Sequence, residues 1–134
     1  MPYELQWEPE GVVKRFWGEL SDGEIAASLA KIGADERFDA LRYTISDLLE
    51  VRNVGALHVE LEELGALDFA HALSNPRLQV AIVAGDEATM ALLREAINRA
   101  GGPLRYGVFS SIEEARRWIK DDPGPAFRAR ARSV

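Results

Sequence analysis

Leu41-Arg42-Tyr43-Thr44-Ile45-Ser46-Asp47 and Leu78-Gln79-Val80-Ala81-Ile82-Val83-Ala84 are the two segments whose reading decides the fold. In the first, Leu41, Tyr43 and Ile45 alternate with polar residues, the period of a strand with one inward face. The second is nearly continuous in apolar residues, as in a central strand covered on both faces. Between them an irregular turn from Asp47 to Gly55 leads into a predicted helix from about Leu57 to Ser74. Leu57, Leu61, Leu64 and Leu67 form one stripe along it. Asn75-Pro76 ends it, because proline disfavours helical geometry in the residue before it. A strand–loop–helix–strand unit of this kind implies a right-handed crossover and parallel pairing.

Upstream, Tyr3, Leu5 and Trp7 alternate with Glu4, Gln6 and Glu8, again a strand. Pro9-Glu10-Gly11 is a turn, and Val12 to Leu20 reads as the second arm of a hairpin. Its alternation is blurred by Val12-Val13 and Phe16-Trp17. Either this strand is covered on both sides, the reading that large apolar side chains favour, or Trp17 is exposed for contact with a partner. Ser21 and Glu24 fit a capping box, Ile25, Leu29 and Ile32 fall at helical spacing, and Gly33 is the stop. Asp35 to Asp39 forms a polar connection around Phe38.

Downstream, Asp86 caps a helix whose inner face is Met90, Leu93, Ile97 and Ala100, and Gly101-Gly102-Pro103 breaks it. Leu104, Tyr106 and Val108 make a last strand. Ser111 with Glu114 opens a final helix that buries Ile112, Ala115 and Ile119. The fold class is therefore α/β: a single-domain mixed sheet of four to five strands, an N-terminal hairpin followed by parallel strands, flanked by helices. The domain is expected over 1–121, with 122–134 a basic, flexible tail carrying Arg128, Arg130 and Arg132.

A chain of 134 residues suits one domain. Its 47% hydrophobic and 28% charged residues are an ordinary globular composition, and its net charge of -6 disfavours nonspecific binding to nucleic acid or anionic membrane. There is no cysteine, so disulfides, thiolate catalysis and cysteine-ligated metal are excluded. Met1-Pro2-Tyr3-Glu4 shows no basic segment followed by an apolar run, and no run is long enough to span a bilayer. A cytoplasmic protein without stable membrane insertion is expected.

Ligands of such sheets sit outside the carboxyl ends of the strands. Those ends, Asp47 through Gly55, Gly85-Asp86 and Ser110-Ser111, hold no glycine-rich phosphate cradle. Asp47, Glu50 and Asp86 against the single Arg52 would repel a phosphate. Nothing in their spacing matches a calcium loop, so no metal and no cofactor is expected. Asp68 and His71 share the leucine side of the long helix and are open to two readings, a general base with its orienting carboxylate or a helix-end pair. His58 lies on a different azimuth from His71, and the two cannot share a metal. No serine sits in a nucleophile turn, so no catalytic residue is assigned. The arginine tail reads either as a solvated end or as a contact for an acidic partner.

Tyr3-Glu4-Leu5-Gln6-Trp7-Glu8, Gly11-Val12-Val13-Lys14-Arg15-Phe16, Arg42-Tyr43-Thr44-Ile45-Ser46-Asp47 and Ser74-Asn75-Pro76-Arg77 running into Leu78–Ala84 together resemble the STAS proteins, in particular their SpoIIAA-like branch. The likeness runs from about Tyr3 to Lys120 and implies the same mixed sheet. In the regulatory members a strand ends in Asp, and a loop carries Asp-Ser-Ser-Gly whose serine is phosphorylated to control binding to an anti-sigma factor. On this chain Asp47 matches the strand-end Asp and Val51 the loop valine, while Gly55-Ala56-Leu57 stands at the Asp-Ser-Ser position and offers no hydroxyl. The resemblance thus implies a non-enzymatic protein-interaction or regulatory module without the phosphorylation switch. Its partner is another protein or a second copy in a homodimer, bound through Asp47, Glu50, Val51, Asn53, Val54 and Leu57. The branch is also likened to the CRAL-TRIO lipid-transfer fold, which implies, as the alternative, an apolar small ligand or lipid in a pocket beside Leu57, Leu61, Leu64 and Leu67.

Overall fold

Alternating Tyr3, Leu5 and Trp7 form β1 (Tyr3–Trp7), which a tight turn joins to β2 (Gly11–Gly18). The turn is closed by Glu8 N–H donating to the Gly11 carbonyl at 2.8 Å. The computed structural model describes residues 3–19, 23–52, 74–100 and 105–121. After the hairpin come α1 (Glu24–Gly33), a single 3-10 turn (Phe38–Ala40), β3 (Tyr43–Val51) and β4 (Gln79–Val83). The chain then forms α2 (Glu87–Ala100), β5 (Arg105–Phe109) and α3 (Ile112–Asp121). The strands lie in the order β1-β2-β3-β4-β5, with β1 antiparallel to β2 and the other neighbours parallel. This is the expected mixed sheet, with five strands.

Each face of the sheet has its own core. On the first, Phe16, Leu48, Val51, Ile82 and Val108 pack against Ile25 of α1 and Met90 and Leu93 of α2. Val12, Leu41 and Leu78 continue this layer to Ile32 and Phe38. On the second, Ile45, Ala81 and Val83 receive Ala115 of α3, flanked by Trp118 and Ile119. β4 is therefore covered on both sides, as its apolar run requires. Phe16, Ile45 and Leu93 are essentially fully buried, and each contributes roughly 1.5–3 kcal/mol by leaving water.

The helix starts follow local chemistry. Asp86 Oδ1 accepts the Thr89 N–H and Oδ2 the Thr89 hydroxyl, both at 2.8 Å, which fixes the entry to α2. Ser111 Oγ accepts the Glu114 N–H at 3.1 Å. The Glu114 carboxylate accepts the Ser110 hydroxyl at 3.0 Å rather than the Ser111 N–H that a capping box requires. The box expected at Ser21 falls on a residue outside the described ones. α1 begins at Glu24 behind Gly23, whose φ of 85° is left-handed. Gly101–Leu104 and the tail 122–134 also lie outside the described residues.

Three further expectations are corrected. β2 stops at Gly18, where φ is +71°, and does not reach Leu20. Within it, Trp17 is 36% exposed, so the strand is not covered on both sides at that point. α3 packs chiefly on β3, β4 and β5. More consequentially, β3 does not end at Asp47. It continues through Leu48, Leu49 and Glu50 to Val51.

Asn75 shows how the crossover is locked. It is buried, and its side-chain amide donates to the Phe38 carbonyl at 3.0 Å and the Leu41 carbonyl at 2.7 Å. One side chain just before β4 thus satisfies two carbonyls at the approach to β3. Asn75→Ala leaves both without this donor and is expected to lower stability by roughly 2–4 kcal/mol. A urea midpoint equal to that of the parent would contradict this role.

Candidate functional site

The carboxyl edge of the sheet is where Asp47, Glu50 and Val51 were expected to form a loop. The β2–β3 register pairs Arg15 with Asp47 and then Trp17 with Glu50, so β3 holds one more residue than β2 across this interval. Such a bulge frees a backbone amide from the ladder. Here the Leu49 N–H donates to Asp47 Oδ1 at 3.0 Å. Asp47 is thus a bulge-stabilising residue inside a strand. The extra residue keeps Leu48 and Val51 both on the first face, and Leu49 projects outward at 45% exposure.

Around the bulge Arg15 is shared between two carboxylates. Arg15 Nη2 donates to both carboxylate oxygens of Glu50 at 3.2 Å, and its Nη1 lies 3.8 Å from Glu4. Both pairs are solvent-exposed and contribute little to stability, about 0–1 kcal/mol. The exposed large apolar side chains at this edge are Trp17 and Leu49. Asp86, also expected to add to the acidity of this edge, is held below the ordinary carboxylate range by the backbone and then the side chain of Thr89. Among the described residues no group of three or more His, Cys, Asp or Glu side chains is placed to hold a metal ion.

The structure therefore brings Asp47 and Glu50 to one edge but turns Val51 into the core. Asn53, Val54 and Leu57 lie outside the described residues, as do Leu61, Leu64 and Leu67 of the expected apolar pocket and His58, Asp68 and His71. Leu49 was missed by the sequence reading. The adjacent Leu48-Leu49 pair, which breaks strict alternation after Ile45, was the available signal.

A second polar cluster stands at the opposite, amino edge. Arg116 of α3 donates to Glu8 through Nη1 at 3.0 Å and Nη2 at 2.8 Å, a bidentate pair. The Tyr43 hydroxyl donates to the same carboxylate. Gly11 faces Tyr43 in the register, and any Cβ there would meet the tyrosine ring. The glycine thus lets the ring lie across β2 and reach Glu8. Arg116 holds the Glu8 carboxyl below its ordinary value of 4.5, working against burial and helped by Tyr43. Burial, and then Glu8, push Tyr43 up, while Glu8 raises Arg116. Nothing in the sequence links Glu8 to Arg116 across 108 positions.

No family model matches the chain, and no curated protein matches it in sequence. Among solved structures it is similar to the anti-sigma factor antagonist SpoIIAA in its unphosphorylated form, with a TM-score of 0.52 and 17% identity. The match covers 88% of this chain and 96% of that one. The chain has a STAS-like fold. Hairpin, parallel strands and flanking helices all fall within that likeness. No helix among the described residues of this STAS-like chain is long and apolar enough to cross a membrane.

The Glu8 clamp gives a pH signature. A carboxyl whose folded pKa is depressed contributes stability above its unfolded pKa and loses it as pH falls through the folded value. The parent protein is thus expected to lose unfolding free energy more steeply than Glu8→Gln as pH is lowered from about 5 to about 3. Parallel curves from chemical denaturation across that window would show that Arg116 does not perturb Glu8.

Proposed function

We propose that this STAS-like protein is a non-enzymatic regulatory module of the cytoplasm that acts by binding a protein partner or a second copy of itself. The observation that carries the reading is the pair Trp17 and Leu49, two large apolar side chains left in solvent at the carboxyl edge. They border an Arg15–Glu50 pair that could exchange partners at low cost. Apolar side chains within a frame of charges are what protein contact surfaces use as anchors. The solved structure that supports this reading is itself described as an anti-sigma factor antagonist.

Asp47 and Glu50 belong to this proposed surface, and Asn53, Val54 and Leu57 extend it along the chain. Val51 supports it from beneath, being packed in the core. No hydroxyl occurs at Gly55-Ala56-Leu57, so binding here is read as independent of serine phosphorylation. The carboxylates of this edge serve a bulge, an ion pair and a helix cap, which supports a contact role over acid–base chemistry.

The test is a comparison of tagged parent protein with a Trp17→Glu/Leu49→Glu double variant. Both positions are exposed, and a urea midpoint for the double variant within the folded range of the parent shows that any loss of association is not a loss of fold. The parent is expected to form a defined complex, with itself by sedimentation or with a protein recovered from its own cells, that the double variant loses. Leu92→Glu, at an exposed leucine of α2, should retain it. Equal complex formation by the double variant would move the contact surface elsewhere.

A further inference from the structure

The amino edge of the sheet carries a cleft that the contact surface described above does not use. Its volume is about 440 Å³, and it lies between the starts of β3 and β4 and the second half of α3. The walls are the Tyr43 ring and Ile119, and the polar rim is formed by Glu10, Arg42, Arg116 and Lys120 around Gln79. The Arg116–Glu8 pair and the Tyr43 hydroxyl tie this part of α3 to the hairpin, so one wall is braced against the other.

The charge around this cleft is not closed internally. Arg116 is neutralised by Glu8. Arg42 and Lys120 are exposed and form no ion pair among the described residues, and only Glu10 opposes them. Three cations against two carboxylates leave a surplus of positive charge in a chain whose net charge is -6. The carbonyl end of α3 lies on the same side, but its partial charge is about half an elementary charge, less than the two side-chain cations supply.

Gln79 is a second, independent observation. It is 95% buried, being 5% exposed, and its amide nitrogen has no hydrogen-bond partner. A buried donor left unpaired is costly, about 1–3 kcal/mol. Gln79 lines the cleft, so this unpaired donor belongs to its wall. The lining is therefore rich in donors and poor in acceptors, with an aromatic and an aliphatic wall.

We propose that this cleft binds a small organic oxyanion, a carboxylate or phosphate monoester, whose head group sits between Arg42 and Lys120 with the Gln79 amide as a further donor and whose apolar part lies against Tyr43 and Ile119. The volume falls in the range of small-molecule sites. The site is independent of the carboxyl-edge surface, at the other end of the strands.

Phenyl phosphate and benzoate are suitable probes, with benzyl alcohol as the uncharged control, titrated into the full-length ¹⁵N-labelled protein at low salt. Saturable amide shifts are expected at Tyr43 and Gln79 and in the second half of α3, including the Gln79 side-chain resonance. Arg42→Ala and Lys120→Ala should each weaken binding about tenfold, as the loss of one charge-assisted contact does. Arg15→Ala, which removes the same charge from the opposite edge, should leave affinity unchanged. Response to one probe but not the other identifies the head group. Shifts that fail to saturate with both, that benzyl alcohol reproduces, or that persist unchanged in Arg42→Ala would overturn the proposal.

Discussion

The fold depends on the parallel pairing of β3 with β4. Tyr43 stands beside Gln79, Ile45 beside Ala81 and Asp47 beside Val83, and neither Ile45 nor Ala81 leaves any surface to solvent. A parallel pair cannot be closed by a tight turn, and its pairing must await a long connection. Loop closure is therefore compensated by burial on both faces, α1 and α2 on one and α3 on the other. Asn75 adds a fixed anchor where β4 approaches β3, so the register is held by hydrogen bonds as well as by apolar fit. The hairpin then adds β2 to the free side of β3, from Gly11 beside Tyr43 onward.

The elements were legible because their patterns are governed by local chemistry and one-sided burial. The Tyr3–Trp7 alternation, the continuous Leu78–Ala84 run and the Asp86 and Ser111 caps each require only residues within a few positions. What escaped the sequence depends on partners far along the chain. Asp47 looks like a strand end, since an acidic residue rarely continues one, yet across from it β2 offers a ladder that carries β3 on to Val51. Glu8 and Arg116 are two ordinary surface residues until the sheet and α3 bring them together.

The two ends of the sheet differ in how they handle charge. At the amino end, Glu8 is shared between a guanidinium and a phenol in a partly shielded site, where hydrogen bonds to a charged group are strongest. That clamp fixes α3 to the hairpin and needs the missing side chain at Gly11 to admit Tyr43. At the carboxyl end, Arg15 and Glu50 meet in open solvent, where their attraction is screened and easily replaced. One end is therefore rigid and the other exchangeable, although both contain an arginine and a glutamate.

The bulge in β3 connects these energetic choices to the exposed surface. Were β3 to continue in strict alternation with no bulge, Leu49 and Val51 would share the face opposite Leu48, and the first core would lose Val51. With it, Leu48 and Val51 both point inward and one residue must be left over. That residue is Leu49, which is 45% exposed at the same edge as Trp17. Asp47 offsets the loss of ladder pairing by accepting the Leu49 amide. The requirement to keep Val51 in the core thus places an apolar side chain on the rim. Repairing the register by deleting residue 49 would remove that exposure, and with it the feature that most distinguishes this edge from ordinary solvated surface.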